Sequence, residues 1–187
     1  PNSPIVAIHK GFEYDVDVLD NIGTTLFIVT NLKAPNKRIV TVDVANPGVE
    51  NWKDLIPETE QVLNPSTGAG YIFANYMKDA VSVVKQFDYK GKLIRTIALP
   101  GVGTASGFGG KAKDKELYFS FTNYVTPGTT YTFFPDSGKS SVYVKPKVDF
   151  VSENYESKQV FFTSKDGTKV PMIITHKKGL QLNGKNP

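Results

Sequence analysis

Ser106, in the run Gly103-Thr-Ala-Ser-Gly107, is the side chain that most invites a catalytic reading. A serine on a tight, glycine-flanked elbow is the nucleophile of α/β-type hydrolases, and it needs a base and an acid beside it. Here Thr104 and Ala105 put Gly103 one place too far from Ser106, and no amphipathic helix follows. Only His9 and His176 are available as bases. The wider run Gly101-Val-Gly-Thr-Ala-Ser-Gly-Phe-Gly-Gly110 has the glycine density of a phosphate loop. Such loops aim backbone N–H groups at phosphate from the start of a helix. This run leads into an apolar strand, Glu116–Phe121, so a glycine-rich strand and bend is the expectation.

Metal chemistry fares no better. Glu13, Asp15 and Asp17 alternate, which on a strand places all three on one face, but no histidine or fourth acid stands near them. A solvated strand face is expected. Trp52 lies beside Leu55 and Ile56, which favours core packing over a role as a ligand anchor. There are no cysteines, so thiolate zinc sites, disulfides and a cysteine nucleophile are excluded within the chain. The residues therefore predict no catalytic, cofactor-binding or metal-ligating side chain, and no cofactor.

Charge sets further bounds. The chain has 22 basic and 18 acidic residues, a net charge of +4, with no run of five like charges. Nucleic-acid binders concentrate basic residues in a stripe interleaved with stacking aromatics. Lys111-Ala-Lys113-Asp-Lys115 and His176-Lys-Lys178 are short, sit beside turn signals and read as solvated loops, so no nucleic-acid partner is expected. No apolar stretch approaches the roughly 20 residues of a membrane helix, so no membrane partner is expected either. No signal-peptide pattern opens the chain. The compartment is expected to be cytoplasmic or periplasmic. The chain starts at Pro1 rather than Met, and the expectation is a fragment.

The elements that must carry these residues are strands. With 12 Phe and 9 Tyr in 187 residues, the composition leans towards pleated, half-buried surfaces. Apolar residues alternate in short bursts, and Gly, Pro, Asn or Asp punctuate them, the pattern of an all-β fold. The bursts are Thr25–Thr30, Arg38–Asp43, Gly70–Asn75, Ser82–Phe87, Leu93–Ile97, Glu116–Phe121, Thr130–Phe134, Gln159–Thr163 and Val170–Thr175. Between the last two stands Lys165-Asp-Gly167, a strong hairpin signal.

The bursts repeat. One strand is expected to end at Asn31, another at Asn75 and a third at Asn123, 44 and 48 residues apart. After each come a polar loop, a second strand (Arg38–Asp43, Ser82–Asp88, Thr130–Phe134), a turn and a further strand (Trp52–Ile56, Leu93–Leu99, Ser141–Val144). This period, with about four strands per unit, is that of propeller blades, whose faces are buried only by stacking on neighbours. About three four-stranded antiparallel blades are expected, with the glycine-rich strand near the axis. A sandwich of the same strand spacing is the alternative.

The most specific stretch is Tyr155-Glu-Ser-Lys-Gln-Val-Phe-Phe-Thr-Ser-Lys-Asp-Gly-Thr-Lys-Val-Pro-Met-Ile-Ile-Thr-His-Lys-Lys-Gly179. It resembles the segment of prolyl oligopeptidases that leaves the propeller and enters the peptidase domain. Asn31–Val40, Trp52–Pro57 and Phe119–Gly128 resemble blade segments of the same family, and the likeness runs in order from about Phe12 to Pro187. The resemblance implies a parent in which a seven-bladed propeller filters substrates by size above an α/β-hydrolase domain. A Ser–Asp–His triad there would cleave short peptides after proline. Residues 1–148 would be the last three blades, and residues 149–187 the crossover and first β-hairpin of an absent catalytic domain. The triad would lie beyond Pro187, so the chain is expected to be inactive alone. The implied partners are short proline-containing peptides and the parent's own catalytic domain. Two bare blade ends would drive self-association. A related oligopeptidase cleaving after basic residues, or a non-enzymatic propeller or sandwich that binds a protein or glycan, are the alternatives.

Overall fold

The computed structural model describes residues 5–186 as four antiparallel sheets of four, four, four and two strands. The first holds β1 (Val16–Ile22), β2 (Thr25–Thr30), β3 (Arg38–Asp43) and β4 (Lys53–Ile56). The second holds β5 (Leu63–Gly68), β6 (Tyr71–Lys78), β7 (Val81–Phe87) and β8 (Leu93–Thr96). The third holds β9 (Thr104–Gly107), β10 (Leu117–Thr122), β11 (Thr129–Phe134) and β12 (Lys139–Val144). A two-stranded ribbon, β13 (Tyr155–Thr163) and β14 (Lys169–Lys177), follows. In every sheet the strands lie side by side in chain order, so each blade is one contiguous meander. Among the described residues there is no α-helix, only the 3₁₀ turns Val49–Asn51 and Ser152–Asn154.

Alternation along the middle strands builds the joints. Phe27, Val29, Ile39 and Ile56 of the first blade pack against Leu63, Ile72, Ala74 and Tyr76 of the second. The other face of the second blade gives Phe73 and Val84 to a larger cluster with Leu117, Phe119, Phe121 and Phe133 of the third. Five phenylalanines of this joint, Phe73, Phe108, Phe119, Phe121 and Phe133, are fully buried. Each contributes roughly 1.5–3 kcal/mol of burial free energy, which makes this joint the main apolar core.

Polar bonds fix the angle between blades. The Tyr89 hydroxyl, on the turn after β7, donates to the Asp20 carboxylate of β1, and its ring stands edge-on to Phe27 at 4.9 Å. Burial, then the Asp20 carboxylate, pushes the Tyr89 phenol well above its ordinary range. Between the second and third blades, Gly110 N–H donates to Thr67 O at 3.0 Å and Ala69 N–H to Lys111 O at 2.9 Å.

The two ends of the arc differ. The outward face of the first blade, Ile28, Val40 and Val42, is buried under Ile8, Val16, Leu26 and Trp52. Tyr14 lies tilted against His9 at 4.1 Å and meets Trp52 edge-on at 6.5 Å, completing that cover. The expectation of two bare ends is thus corrected: the chain's own N-terminal segment closes one of them. The outward face of the third blade carries no such cover among the described residues, and Tyr118, Phe134 and Tyr143 are exposed on it.

Candidate functional site

The residues singled out for chemistry are dispersed. Ser106 lies on β9 opposite Ser120 of β10, on the outward face of the third blade. His9 lies tilted against Tyr14 and approaches Glu13 at 3.7 Å. His176 lies on β14, directly opposite Glu156, with its Nε2 at 3.8 Å from that carboxylate. Each imidazole is engaged away from Ser106, and no triad forms among them.

The glycine run builds a joint. After β9 the chain drives Phe108 into the core, and the flanking polar groups go to the second blade, where Ser66 Oγ donates to Gly107 O at 3.0 Å. Gly107 has φ +120°, and a Cβ there would meet Tyr118 O at 2.7 Å, so only glycine lets β9 lie this close to β10. Within the run the Ala105, Phe108 and Gly110 amides are engaged, donating to Ser82 Oγ, Tyr118 O and Thr67 O.

The acidic trio does not share a strand face, and that expectation is corrected. Only Asp17 falls within β1; Asp15 precedes it, pairing with Lys37 at 3.1 Å, and Glu13 turns to His9. Among the described residues no three His, Cys, Asp or Glu side chains are placed to hold a metal ion. Trp52 packs on the outward core of the first blade, and its Nε1 donates to Pro47 O at 2.9 Å, in keeping with a packing role. The side chain also borders a polar cleft of about 490 Å³ with Asp43, Asn46, Glu50 and Lys53.

What the structure does assemble is a junction, where the β13–β14 ribbon meets one end of the second and third blades. The β6–β7 turn holds Asp79 and Ala80 at φ 51° and 66°, the left-handed pair of a tight hairpin, and its Asp79 carbonyl accepts from Gln159 Nε2 of the ribbon. Next to it Asn123 pins the β10–β11 loop: its Oδ1 accepts from Val125 N–H at 3.0 Å and Thr126 N–H at 2.7 Å, and its Nδ2 donates to Val102 O at 2.9 Å. These two devices frame a mostly apolar cleft of about 300 Å³, lined by Ala80, Val102, Thr122, Tyr124 and Ile173. Tyr124 is 77% exposed at its mouth.

A second cleft of about 420 Å³ opens between the third blade and the crossover. Lys145 and Glu153, paired at 3.0 Å, lie on its wall and tie the two ends of the crossover loop together. The Glu153 carboxyl is held below its usual range, first by its own backbone N–H and then by Lys145. On the ribbon Glu156 is also lowered, chiefly by its bond to Lys158 at 3.0 Å. The linings offer hydroxyls, amides and aromatic rings without a paired nucleophile and base. Such a junction can hold a segment in place.

Sequence reasoning found the ribbon and its Asp166-Gly167 turn, with Tyr155 to Thr163 pairing Lys177 to Lys169 without a break. It missed the Asp79–Ala80 anchor and the exposure of Tyr124. An Asp-Ala pair between two alternating runs is a weak turn signal, though the length of those runs leaves it the only room for a reversal.

Residues 1–146 match the model of the prolyl oligopeptidase N-terminal β-propeller domain. Over 182 residues the chain is 57% identical to a prolyl endopeptidase of Elizabethkingia miricola, covering 97% of this chain and 26% of that protein. A solved chain from a structural and mechanistic analysis of two prolyl endopeptidases superposes with a TM-score of 0.78 at 37% identity, over 93% of this chain and 26% of its own length. Prolyl oligopeptidase B of Galerina marginata gives a TM-score of 0.83 at 26% identity over 93% of this chain and 26% of that one. The chain therefore spans about a quarter of the length of these relatives.

Proposed function

Because this chain belongs to the prolyl oligopeptidase family, in its N-terminal β-propeller domain, we propose that it is the gating part of a serine peptidase that hydrolyses short peptides after proline. The observation that carries this reading is the 57% identity to a prolyl endopeptidase along nearly the whole chain. Residues 1–148 form the propeller part and residues 149–187 the crossover and the first hairpin of the catalytic domain. The docking of Gln159 and Ile173 on the blade ends, apart from the blade sheets themselves, supports that division.

In this reading the chemistry is acyl transfer. A serine attacks the prolyl carbonyl, a histidine carries the proton, and water releases the acyl group. This chain supplies none of those residues. It supplies a wall that limits what reaches them and a fixed exit for the strand that enters the catalytic domain. Self-association of the chain through its bare apolar surface is part of the same reading.

The test is a transplant. Residues 5–186 replace the matching stretch of the Elizabethkingia miricola enzyme, and hydrolysis of a Gly-Pro reporter is measured beside that of a folded protein substrate. Retained reporter cleavage with the folded protein spared is expected. A folded chimera without reporter cleavage overturns the assignment, and so does turnover by the purified 187-residue chain alone.

A further inference from the structure

We infer that the first blade carries a binding site for a neutral saccharide, in the polar cleft of about 490 Å³ that Trp52 borders. The inference stands on that cleft alone and is independent of the peptidase reading.

The site is complete within one blade. Its lining falls between Thr25 and Lys53, and among the described residues neither the ribbon nor another blade contributes to it. Thr25 opens β2 and Asp43 closes β3. The ribbon instead docks on Asp79, in the turn that follows the second strand of its blade. The cleft therefore opens at the blade end opposite to that junction.

Two elements build it. The floor is sheet: Thr25 pairs with Asp43 and Lys53 with Thr41, and positions 41 and 43 of β3 share a face. Two hydroxyls, an acid and a base thus stand side by side. The wall is the β3–β4 loop, whose own bonds fix it before any ligand arrives. Ala45 N–H donates to Asp43 Oδ1, Asn51 N–H to Gly48 O and Trp52 Nε1 to Pro47 O, each at 2.9 Å. A wall already ordered costs little to hold around a ligand. With its N–H engaged by Pro47, the indole offers the cleft ring carbons only. Asn46 and Glu50, both exposed, add an amide and a second acid to the same wall.

This mixture selects the class of ligand. Asp43 and Glu50 repel a phosphate, Lys53 opposes a cation, and the density of polar groups disfavours an apolar molecule. What remains is a neutral ring rich in hydroxyls. A pyranose presents C–H groups on its faces, which pack on an indole. Its hydroxyls donate to carboxylates and accept from amides and ammonium groups. The cleft falls within the roughly 300–1,000 Å³ of small-molecule sites. Hydroxyl contacts of this kind compete with water, so a Kd on the order of 1 mM is expected.

Trp52 is the only tryptophan, so its fluorescence reads the cleft in the full chain. Maltose, cellobiose and lactose are titrated, with glycerol, inorganic phosphate and spermidine as comparisons. At least one disaccharide is expected to saturate the signal, and the three comparisons are not. Asn46→Ala and Glu50→Gln are expected to weaken binding by about threefold to tenfold, with the fold checked by circular dichroism. Gly48→Ala removes no polar group, and φ −55° suits alanine, but the new Cβ would collide with the Glu50 carboxylate. Its effect is expected to match that of Glu50→Gln. Tyr124→Ala, at the ribbon junction, is expected to change nothing. No saturation by any of the three disaccharides up to about 50 mM overturns the proposal. So does saturation by glycerol, phosphate or spermidine in their place, an affinity indifferent to all three cleft variants, or binding lost in Tyr124→Ala.

Discussion

Phe108 is a large side chain in a backbone conformation that L-residues avoid, and substitution there separates packing from strain. Its φ is 64°, yet the ring is fully buried. It lies 4.6 Å from Phe119 and 5.4 Å from Phe73, stacked on both, and edge-on to Phe133 at 5.5 Å. Phe108→Ala removes the ring from the middle of this cluster, a change that costs about 3–5 kcal/mol, with three ring contacts placing it near the upper end. Alanine keeps Cβ, so the left-handed cost of roughly 1–2 kcal/mol stays in the folded state. Phe108→Gly loses the same ring but sheds that cost, against an unfolded-state penalty for glycine of about 0.5–1 kcal/mol. The glycine variant is therefore expected to be as stable as the alanine variant, or up to about 1.5 kcal/mol more stable, the reverse of the usual order. Guanidinium unfolding followed by far-ultraviolet circular dichroism measures both, and the fluorescence of Trp52 reports whether the first blade unfolds with the rest. A glycine variant less stable than the alanine variant by about 0.5 kcal/mol or more would refute the strain account.

Tyr89→Phe is expected to lower stability by about 1–2 kcal/mol, because it removes a bond to a carboxylate that joins two blades, and a cycle with Asp20→Asn should return most of that as coupling. Its phenol is raised in the folded state, so its contribution is fully present below about pH 10 and is lost as pH climbs through the folded value. Wild type should weaken more steeply than Tyr89→Phe above pH 10 in urea titrations, and parallel profiles would sink the assignment. Asn123→Ala should cost about 1–2 kcal/mol and speed amide exchange at Val125 and Thr126, which lose their acceptor; unchanged exchange at both would show that the loop is held by something else. At the crossover, Glu153 is lowered, so its pairing with Lys145 stabilises the loop above the ordinary glutamate range and fades as pH falls through the lowered value. Protease nicking of residues 146–151 should therefore quicken on acidification, and Glu153→Gln should abolish that dependence.

The strands legible in the sequence were those whose side chains alternate against a joint. Thr25–Thr30 and Arg38–Asp43 are β2 and β3 to the residue, because β-branched and aromatic side chains fill both faces of a fully stacked blade. The opening strand of each blade was harder. β5 reads Leu-Asn-Pro-Ser-Thr-Gly and β9 Thr-Ala-Ser-Gly, edge strands with small polar residues and no apolar alternation. Pro65 is tolerated there because an edge strand has an unpaired side. The three asparagines that set the period do not all end strands. Asn31 and Asn123 follow β2 and β10, whereas Asn75 lies inside β6, which runs on to Lys78 because the Asp79–Ala80 turn is tight. They share a task even so: Asn31 accepts from Asp15 N–H, Asn75 donates to Ala105 O and Asn123 to Val102 O, each binding the backbone at or just before an opening strand. Such clamps act between residues 16 to 30 apart in the chain, which no local pattern reveals.

That every sheet is a meander of consecutive strands has a consequence for how the chain is made. Each blade can close its ladders as soon as its own stretch leaves the ribosome, because no strand waits for a distant partner. The first blade does not wait at all for its outward cover, since Ile8 has already been synthesised. Its other face, with Phe27 and Val29, stays wet until Ile72 and Ala74 arrive. Phe73 and Val84 then wait in turn for Phe119 and Phe133. Synthesis of these three blades thus carries a single moving apolar front, one blade deep, from the first to the third. A pause between Phe87 and Leu117 would expose the richest of these fronts for longest, and that is where a chaperone would be expected to bind the nascent chain.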